Sequence, residues 1–251
     1  MKWWLSVLGF VVSFSVLAEV RWQGTSGGYK VTISDKDISA TDAEGKLILS
    51  LKKDFDESNK AEEAEEGWES QITYRPLSLV GPYLSLQVFM SAYMGGAHPM
   101  AATSFVTMDL RDPKKPATLL TWYDDKTIAT QLSKDKVLKK HLKLKKNTAV
   151  SMEMLENNFV GPEDCKFTLT KEAVGSFAFY SLEKEQVAVR VGLSHGCETA
   201  RGSLTQFGIL LPIPSAIAED LKAAADKKAG FLMKDSKAFG EVSFSWEYKK
   251  G

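Results

Sequence analysis

The stretch from Ile72 to Tyr93 (ITYRPLSLVGPYLSLQVFMSAY) decides the fold of this chain. Gly81-Pro82 is a turn signal, and the residues on both sides of it favour strands. In Tyr83–Tyr93 the hydropathy pattern has a period of two, which predicts one buried and one partly exposed face. The alternating positions are Leu84, Leu86, Val88 and Met90 against Ser85, Gln87, Phe89 and Ser91. We therefore predict an antiparallel hairpin formed by Ile72–Leu79 and Tyr83–Tyr93.

Strands are also predicted on both sides of this hairpin. Phe207–Ile213 is nearly all apolar and predicts a strand buried on both faces, whereas Asp35–Gly45 and Arg111–Pro116 are expected to be loops. The other predicted strands are Tyr29–Ile33, Lys46–Leu51, Thr103–Leu110, Phe177–Leu182, Gln186–Leu193 and a final one in which Val242, Phe244, Trp246 and Tyr248 alternate with polar residues.

Two apolar stripes at helical spacing predict helices. The first helix would be capped by Asp124 or Asp125 and run to about Leu142. The second would open at Pro214 or Ser215. The apolar stripes contain Ile128, Leu132, Leu138 and Leu142 in the first helix, and Ile217, Leu221 and Ala224 in the second. Together the elements predict an α+β fold, with antiparallel sheets and two or three helices packed on one side. A boundary near residue 70 would divide N-terminal strands and an acidic segment (19–70) from a main domain (71–251).

The first 18 residues have the pattern of a signal peptide. Lys2 supplies a positive charge, Trp3–Leu17 is apolar apart from three serines, and Val16 and Ala18 supply small side chains for cleavage before Glu19. The alternative is a membrane anchor, but the apolar run is shorter than the span of about 20 residues that a bilayer requires. We therefore expect a periplasmic or secreted protein with no membrane span after cleavage.

The charge balance argues against a nucleic-acid partner. The 251 residues carry 32 Lys+Arg and 32 Asp+Glu, whereas nucleic-acid binders normally have a basic excess. Two opposite segments contribute to this balance: the acidic Asp54–Glu69 and the lysine-rich Lys134–Lys146. The acidic segment is interpreted as a solvated helix or loop, or alternatively as a docking surface. The lysines indicate a solvated helix end, or alternatively a patch that faces a polyanion or the cell wall.

Export changes the interpretation of the two cysteines, Cys165 and Cys197. In an oxidising compartment an even pair of cysteines usually forms a disulfide. One alternative is a metal site with His195 and Cys197 as ligands, although two such ligands fall short of the spacing of a zinc site. Another is a catalytic Cys–His pair. We predict the disulfide, and no metal or cofactor.

Tyr93-Met94-Gly95-Gly96-Ala97-His98-Pro99 is the most informative motif. Adjacent glycines allow positive-φ conformations and can present backbone amides to a ligand. The predicted ligand-binding residues are Tyr93, Gly95, Gly96 and His98. The alternative is a fixed turn in which the imidazole bonds to nearby backbone. No catalytic residue is assigned, because a lone histidine without a positioned nucleophile or carboxylate does not define catalysis.

This motif, the strand Ser104–Leu110, the segment Leu119–Tyr123 and the run Phe207–Ile213 resemble a bacterial extracytoplasmic domain of unknown function. That domain occurs in the ectodomain of the lysozyme-sensing anti-sigma factor and beside peptidoglycan deacetylase domains. The resemblance spans roughly residues 70–225 and implies an exported domain concerned with the cell envelope. The chain departs from the pattern at Met100, where the family often has a polar residue, and over His195–Gly202.

Three functional hypotheses follow. The first is a binding module that recognises peptidoglycan or a lysozyme-like protein through the His98 turn and neighbouring aromatic residues such as Tyr93 and Tyr83. The second is a small periplasmic hydrolase or metal-dependent enzyme that uses His98 and His195. The third is a structural envelope protein without a small-molecule site. The motifs of serine hydrolases, zinc peptidases, P-loop enzymes and dinucleotide-binding enzymes do not occur, which favours binding over catalysis.

Overall fold

A computed structural model describes residues 18–59, 66–96, 99–141, 150–158, 169, 171–193 and 206–248. These residues form antiparallel sheets and short helices, which confirms the α+β class. The strands are β1 Val20–Ser26, β2 Tyr29–Ser34, β3 Ile38–Thr41, β4 Leu47–Ser50, β5 Glu69–Val80, β6 Tyr83–Tyr93, β7 Met100–Asp109, β8 Asp112–Pro116, β9 Phe177–Glu183, β10 Gln186–Gly192, β11 Gln206–Pro212 and β12 Val242–Glu247. The helices are α1 Leu51–Ser58, α2 Asp125–Leu132, α3 Lys136–His141, α4 Met152–Asn158 and α5 Ala218–Ala225.

The central sheet has the strand order β12-β5-β6-β7-β8. Its long hairpin, β5–β6, confirms the predicted one and pairs from Glu69↔Tyr93 to Val80↔Tyr83. The turn residue Gly81 has φ +54°, a conformation that glycine adopts without strain. At 12 and 11 residues, both strands are about twice the usual length.

The N-terminal sheet, β1-β2-β3-β4, packs on one face of the central sheet. The two sheets bury a common cluster that includes Val31 and Ile33 from the N-terminal sheet and Leu84, Leu86 and Phe244 from the central sheet. The helix α1 packs on the same face of the central sheet, since the ring centroids of Phe55 and Phe244 lie 5.5 Å apart. The strand β5 begins at Glu69, close to the predicted domain boundary.

The third sheet, β11-β10-β9, carries the helical layer. Val187, Val189 and Val191 of β10 belong to a cluster that also contains buried residues of four helices. The helical members are Ile128, Ala129 and Leu132 of α2, Leu138 of α3, Met152 and Leu155 of α4, and Leu221 and Ala224 of α5.

Hydroxyl groups join the central sheet to the edge of β9. Ser78, Ser85 and Thr107 of the central sheet are all fully buried. The Phe179 N–H donates to Ser78 Oγ at 3.2 Å, and Thr107 Oγ1 donates to the Phe177 carbonyl. These side chains bond to edge groups of β9 that another strand would otherwise occupy, so the buried backbone is satisfied.

The structure corrects both loop predictions. Asp35–Gly45 contains the strand β3, in which Ile38 and Ala40 are buried on the core-facing side of the N-terminal sheet. Arg111–Pro116 is mostly the strand β8, whose prolines are tolerated because β8 is an edge strand. The strand β1, also at an edge, was not predicted from the sequence.

The predicted helix from Asp124 to Leu142 is two helices. Asp124, one of the two predicted candidates, is the N-cap and accepts a bond from the Thr127 N–H at 2.7 Å. The helix α2 ends at Leu132, and Asp135 then accepts bonds from the N–H groups of Leu138 and Gly208, both at 3.2 Å. Asp135 thus starts α3 and ties it to the outer edge of β11. The second predicted helix begins with a short 3-10 turn at Ser215 and continues as α5.

The prediction that Phe207–Ile213 is buried on both faces is wrong. The strand β11 lies at the edge of the third sheet and alternates between buried and partly exposed residues. Leu210 is 36% exposed, whereas its neighbours Ile209 and Leu211 are buried. Apolar residues therefore occupy both the buried face and the partly exposed face of β11.

Several predictions fall outside the described residues. These include the segment 1–17 and the residues Cys165, His195 and Cys197, so the signal peptide and the disulfide stay predictions. Within the described part of the chain, none of the helices has both the length and the apolar character needed to cross a bilayer.

Candidate functional site

The central sheet is covered at one end and bare at the other. Near the Gly81 turn Leu84 and Ser85 are both fully buried, because the N-terminal sheet covers one face and β9 covers the other. Toward the far end of β6, Phe89 is 37% exposed and Met90 is 50% exposed. The predicted division into one buried and one exposed face is therefore wrong along β6. Burial changes along the strand more than it changes from face to face.

A groove lies at the bare end, lined mainly from the face to which Tyr93 belongs and also by Ser70, Ala92 and Trp246 of the intervening row. Its volume is about 730 Å³, and β5, β6 and β12 form its floor. Two cross-strand rows define it: Ser91 with Gln71 and Ser245, and Tyr93 with Glu69 and Glu247. Pro99, at the start of the returning strand, contributes to the wall. Sheet pairing thus places these side chains side by side on one face.

A second cavity of about 190 Å³ continues this face toward the covered end. It is lined by Thr73, Arg75, Gln87, Phe89 and Glu241. The β5 and β6 residues follow those of the groove at intervals of two, so both cavities lie on the same face of the sheet. From residue 69 to residue 75 the two cavities extend over about 20 Å. That length suits an elongated ligand.

The groove combines the aromatic ring of Tyr93 with amide, hydroxyl and carboxylate side chains. Tyr93 is 36% exposed, and its hydroxyl donates to the Gly96 carbonyl at 3.1 Å, which fixes the ring beside the turn. Gln71, Ser91 and Ser245 can each donate and accept hydrogen bonds. A ring face together with convergent polar groups is a typical arrangement for binding a ligand with both apolar and hydrogen-bonding surfaces.

The structure places part of the predicted site at this groove. Tyr93 lines it, and Gly95 and Gly96 form the adjoining turn with φ +74° and +125°. A Cβ atom on either glycine would meet open space, so backbone conformation rather than crowding requires glycine here. His98 lies outside the described residues, and its role stays a prediction.

Tyr83 does not join the site. It lies at the opposite end of β6, is 5% exposed and packs against Trp122 with the ring centroids 4.8 Å apart. Its hydroxyl accepts a bond from Arg111 at 2.6 Å. The pKa of Asp109 lies below its usual value. Burial acts to raise this pKa, but the hydrogen bonds from Arg111 to the carboxylate outweigh burial. This cluster closes the covered end of the sheet.

Several groove residues were not found from the sequence. Glu69, Gln71, Ser245 and Glu247 belong to strands about 170 residues apart, and only the pairing of β5 with β12 brings them together. One usable signal was present in β5, where the polar Glu69, Gln71, Thr73 and Arg75 alternate with other residues. Such alternation indicates a solvent-facing side of a strand.

Metal ligands are not clustered in the part of the chain that the structure describes. No group of three or more His, Cys, Asp or Glu residues there could hold a metal ion. His98 and His195, which the alternative enzymatic hypothesis requires, both lie outside those residues.

No protein-family model, curated protein or solved structure matches this chain. The resemblance to the extracytoplasmic domain of unknown function therefore stays a prediction.

Proposed function

We propose that this chain is an exported binding module of the cell envelope that holds a glycan strand of peptidoglycan in the groove. The observation that carries the proposal is the elongated bare face of the central sheet, with Tyr93 and Phe89 set among amide and hydroxyl side chains. Sugar rings have apolar C–H faces and a rim of hydroxyl and amide groups. The groove offers complementary groups of both kinds.

The charges of the groove support an uncharged or weakly charged ligand surface. The larger cavity contains Glu69 and Glu247 and no Lys or Arg among its described lining residues. In the smaller cavity the Arg75 guanidinium is paired with Glu241. Phosphate-rich ligands require unpaired basic groups or clustered amides, so this face does not favour them. Carboxylates, in contrast, accept hydrogen bonds from sugar hydroxyls.

The sequence supports an envelope location. The signal-peptide pattern of residues 1–18 directs the chain out of the cytoplasm, and the family resemblance implies an envelope role. The groove favours a glycan over a lysozyme-like protein, because its lining residues span three strands over about 20 Å, whereas standard protein interfaces bury about 800 Å² on each partner. Binding of a lysozyme-like protein is treated as an outcome of the test.

The test is binding of the chain beginning at Glu19 to purified peptidoglycan and to soluble muropeptides, measured by co-sedimentation and calorimetry. Tyr93→Ala should weaken binding at least tenfold, whereas Tyr93→Phe should retain most of it because the ring remains. Met90→Ala is the matched control, since Met90 is half exposed on the opposite face of the same strand. His98→Ala tests the predicted ligand role of the imidazole.

Three outcomes would count against the proposal. The wild-type chain could fail to bind any of these glycans, Tyr93→Ala could bind as well as wild type, or Met90→Ala could lose binding equally. A parallel experiment with hen lysozyme tests the protein partner. Tight binding to lysozyme without binding to muropeptides would replace the glycan proposal.

A further inference from the structure

The most exposed methionines of the described chain gather at one end of the β6–β7 hairpin. Met90, Met94 and Met100 are 50%, 49% and 57% exposed. The other methionines that the structure describes are buried or partly buried: Met108, Met152, Met154 and Met233. Methionine is one of the residues most often found fully buried in proteins. Three exposed thioether groups in one place therefore indicate a role other than core packing.

The sheet register places Met90 and Met100 next to each other. Met90 pairs with Ala102 and Met100 pairs with Ala92, so the two methionines are diagonal neighbours on one face of the hairpin. Diagonal positions are about 7–8 Å apart, which is within reach of long side chains. Met94 follows directly after β6, two residues beyond Ala92. We call Met90, Met94 and Met100 the thioether cluster.

Uncharged residues flank the thioether cluster along and across the strands. Pro76–Met108, 33 residues long, contains no Asp, Glu, Lys or Arg, in a chain that is 25% charged. The cross-strand rows of Met90 and Met100 continue on β5 to Ile72 and Ser70, which are also uncharged. These neighbours do not supply the carboxylates that bind hard cations such as Mg²⁺ and Ca²⁺.

Thioether sulfur is a soft, neutral metal ligand, and so differs in class from the histidine, cysteine and carboxylate ligands considered above. Soft sulfur ligands select ions such as Cu(I), whereas carboxylate and carbonyl oxygens suit Mg²⁺, Ca²⁺ and Mn²⁺. The methionine side chain is unbranched and has three rotatable bonds, so the sulfur atoms of the cluster can turn toward one ion. Their exposure leaves them open to an ion that arrives from solution.

We propose that the thioether cluster binds Cu(I) through the sulfur atoms of Met90, Met94 and Met100. No lysine or arginine within Pro76–Met108 repels the cation. The sequence-based expectation of no metal considered histidine and cysteine ligands, and this site uses neither. Binding of Cu(I) does not depend on the proposed binding of a glycan in the groove, so each can be tested alone.

The pH dependence of binding distinguishes thioethers from other ligands. Histidine and cysteine must lose a proton before they bind a metal, so sites built from them weaken in acid. A thioether has no proton to lose. The affinity of the thioether cluster for Cu(I) should therefore be the same at about pH 5 and about pH 8, an interval in which an ordinary imidazole changes its charge.

The test is a titration of the chain beginning at Glu19, isotope-labelled at its methionine methyl groups, and followed by NMR and calorimetry. Ag(I) in chloride-free buffer is the first probe, because it has the charge and the filled d shell of Cu(I) and is stable in air. The methyl signals of Met90, Met94 and Met100 should shift together. Cu(I) supplied without oxygen should shift the same three signals, and Mg²⁺ should shift none of them. Binding at cysteine thiols would leave these signals in place.

Leucine variants remove the sulfur and keep a side chain of similar size. Met90→Leu, Met94→Leu and Met100→Leu should each lower the affinity for Ag(I) at least about tenfold, since even the loss of an outer-shell partner of a metal ligand costs 10–100-fold. The unfolding midpoint should not change, because all three side chains are about half exposed. Met154→Leu is the matched control, a partly exposed methionine of α4, and should bind as wild type does.

The proposal would be overturned by any of three results. The methyl signals of the thioether cluster could stay in place when Ag(I) is added, or the triple leucine variant could bind Ag(I) as tightly as wild type. The affinity could also fall in acid as an imidazole becomes protonated, which would assign the ion to a histidine.

Discussion

The backbone N–H of Phe179 donates a hydrogen bond to the hydroxyl of Ser78 at 3.2 Å, inside a fully buried contact between two sheets. The same contact contains the bond from Thr107 to the Phe177 carbonyl and the 3.0 Å bond between Ser85 and Thr107. The outer edge of β9 is thus hydrogen-bonded by side chains of the central sheet. Three small hydroxyl residues therefore determine how two layers of the protein join, and one of them, Ser85, was assigned to a partly exposed face by the alternation in β6.

Removing these hydroxyl groups should destabilise the fold. Ser78→Ala leaves the Phe179 N–H without its partner in a dry environment, and Thr107→Val does the same to the Phe177 carbonyl. Each should lower the free energy of unfolding by about 1–3 kcal/mol, measured by urea denaturation. Ser243→Ala is the control, because Ser243 bonds to Thr73 in an exposed position. A loss for Ser78→Ala no larger than for Ser243→Ala would contradict this role.

A side chain at Gly81 should destabilise the fold. Its φ of +54° disfavours any other residue, and a Cβ atom there would lie 2.4 Å from Asp220 Oδ2 on α5. Gly45→Ala is the matched control, since Gly45 has φ +80° with nothing within 4 Å. The control should cost about 1–2 kcal/mol in unfolding free energy, and Gly81→Ala more. Equal losses in thermal or urea unfolding would show that Asp220 imposes no crowding.

The core at the covered end of β6 should be far more sensitive to truncation than the bare end. Leu86 is 1% exposed and Met90, on the same face of the same strand, is 50% exposed. Leu86→Ala should cost about 2–5 kcal/mol in unfolding free energy through lost contacts and a cavity. Met90→Ala should cost under about 1 kcal/mol. Similar losses for the two variants in denaturant titrations would contradict the burial gradient along β6.

The carboxyl group of Asp220 should make stability depend on pH. Burial raises its pKa in the folded chain, so folding is opposed when the group is ionised. This penalty is fully present above the folded pKa and disappears as the pH falls to the unfolded value of about 3.9. Asp220→Asn should therefore raise the unfolding midpoint relative to wild type at neutral pH, and the difference should shrink in acid. A difference that is constant or grows as the pH falls would refute the assignment.

The sequence predicts a disulfide between Cys165 and Cys197. A thiol titration of the denatured, unreduced chain should detect no free thiol, and reduction should lower the unfolding midpoint. The bond would close a loop of about 33 residues, a length for which the chain-entropy model gives roughly 3–4 kcal/mol. Cys165→Ser/Cys197→Ser should show the same midpoint as the reduced wild type. Two reactive thiols in the unreduced protein would exclude the bond.

Local patterns predicted the elements that carry strong turn signals and marked periodicity. Gly81-Pro82 located the β5–β6 hairpin, and Asp124 marked the start of α2. The missed strands β1, β3 and β8 are short or lie at sheet edges, where neighbours rather than intrinsic preference decide the structure. The end of α2 was also missed, because Asp135 acts through a tertiary bond to Gly208.

The candidate site could be predicted only where its residues are local in sequence. Tyr93, Gly95 and Gly96 were found because a turn motif groups them. The β12 side of the groove depends on the pairing of Ser245 with Gln71 and of Glu247 with Glu69. No short-range pattern specifies such a pairing across more than 170 residues, since it is set by the apolar face of β12 on the core.

The gradient of burial along β6 means that one strand serves two separable purposes. Around residue 85 a substitution alters the interior on both sides of the sheet, whereas around residue 91 it alters only what the protein presents to its surroundings. Variation at the bare end can therefore change the exposed surface while the folding of the chain is preserved. The long hairpin thus contains the boundary between positions that tolerate substitution and positions that do not.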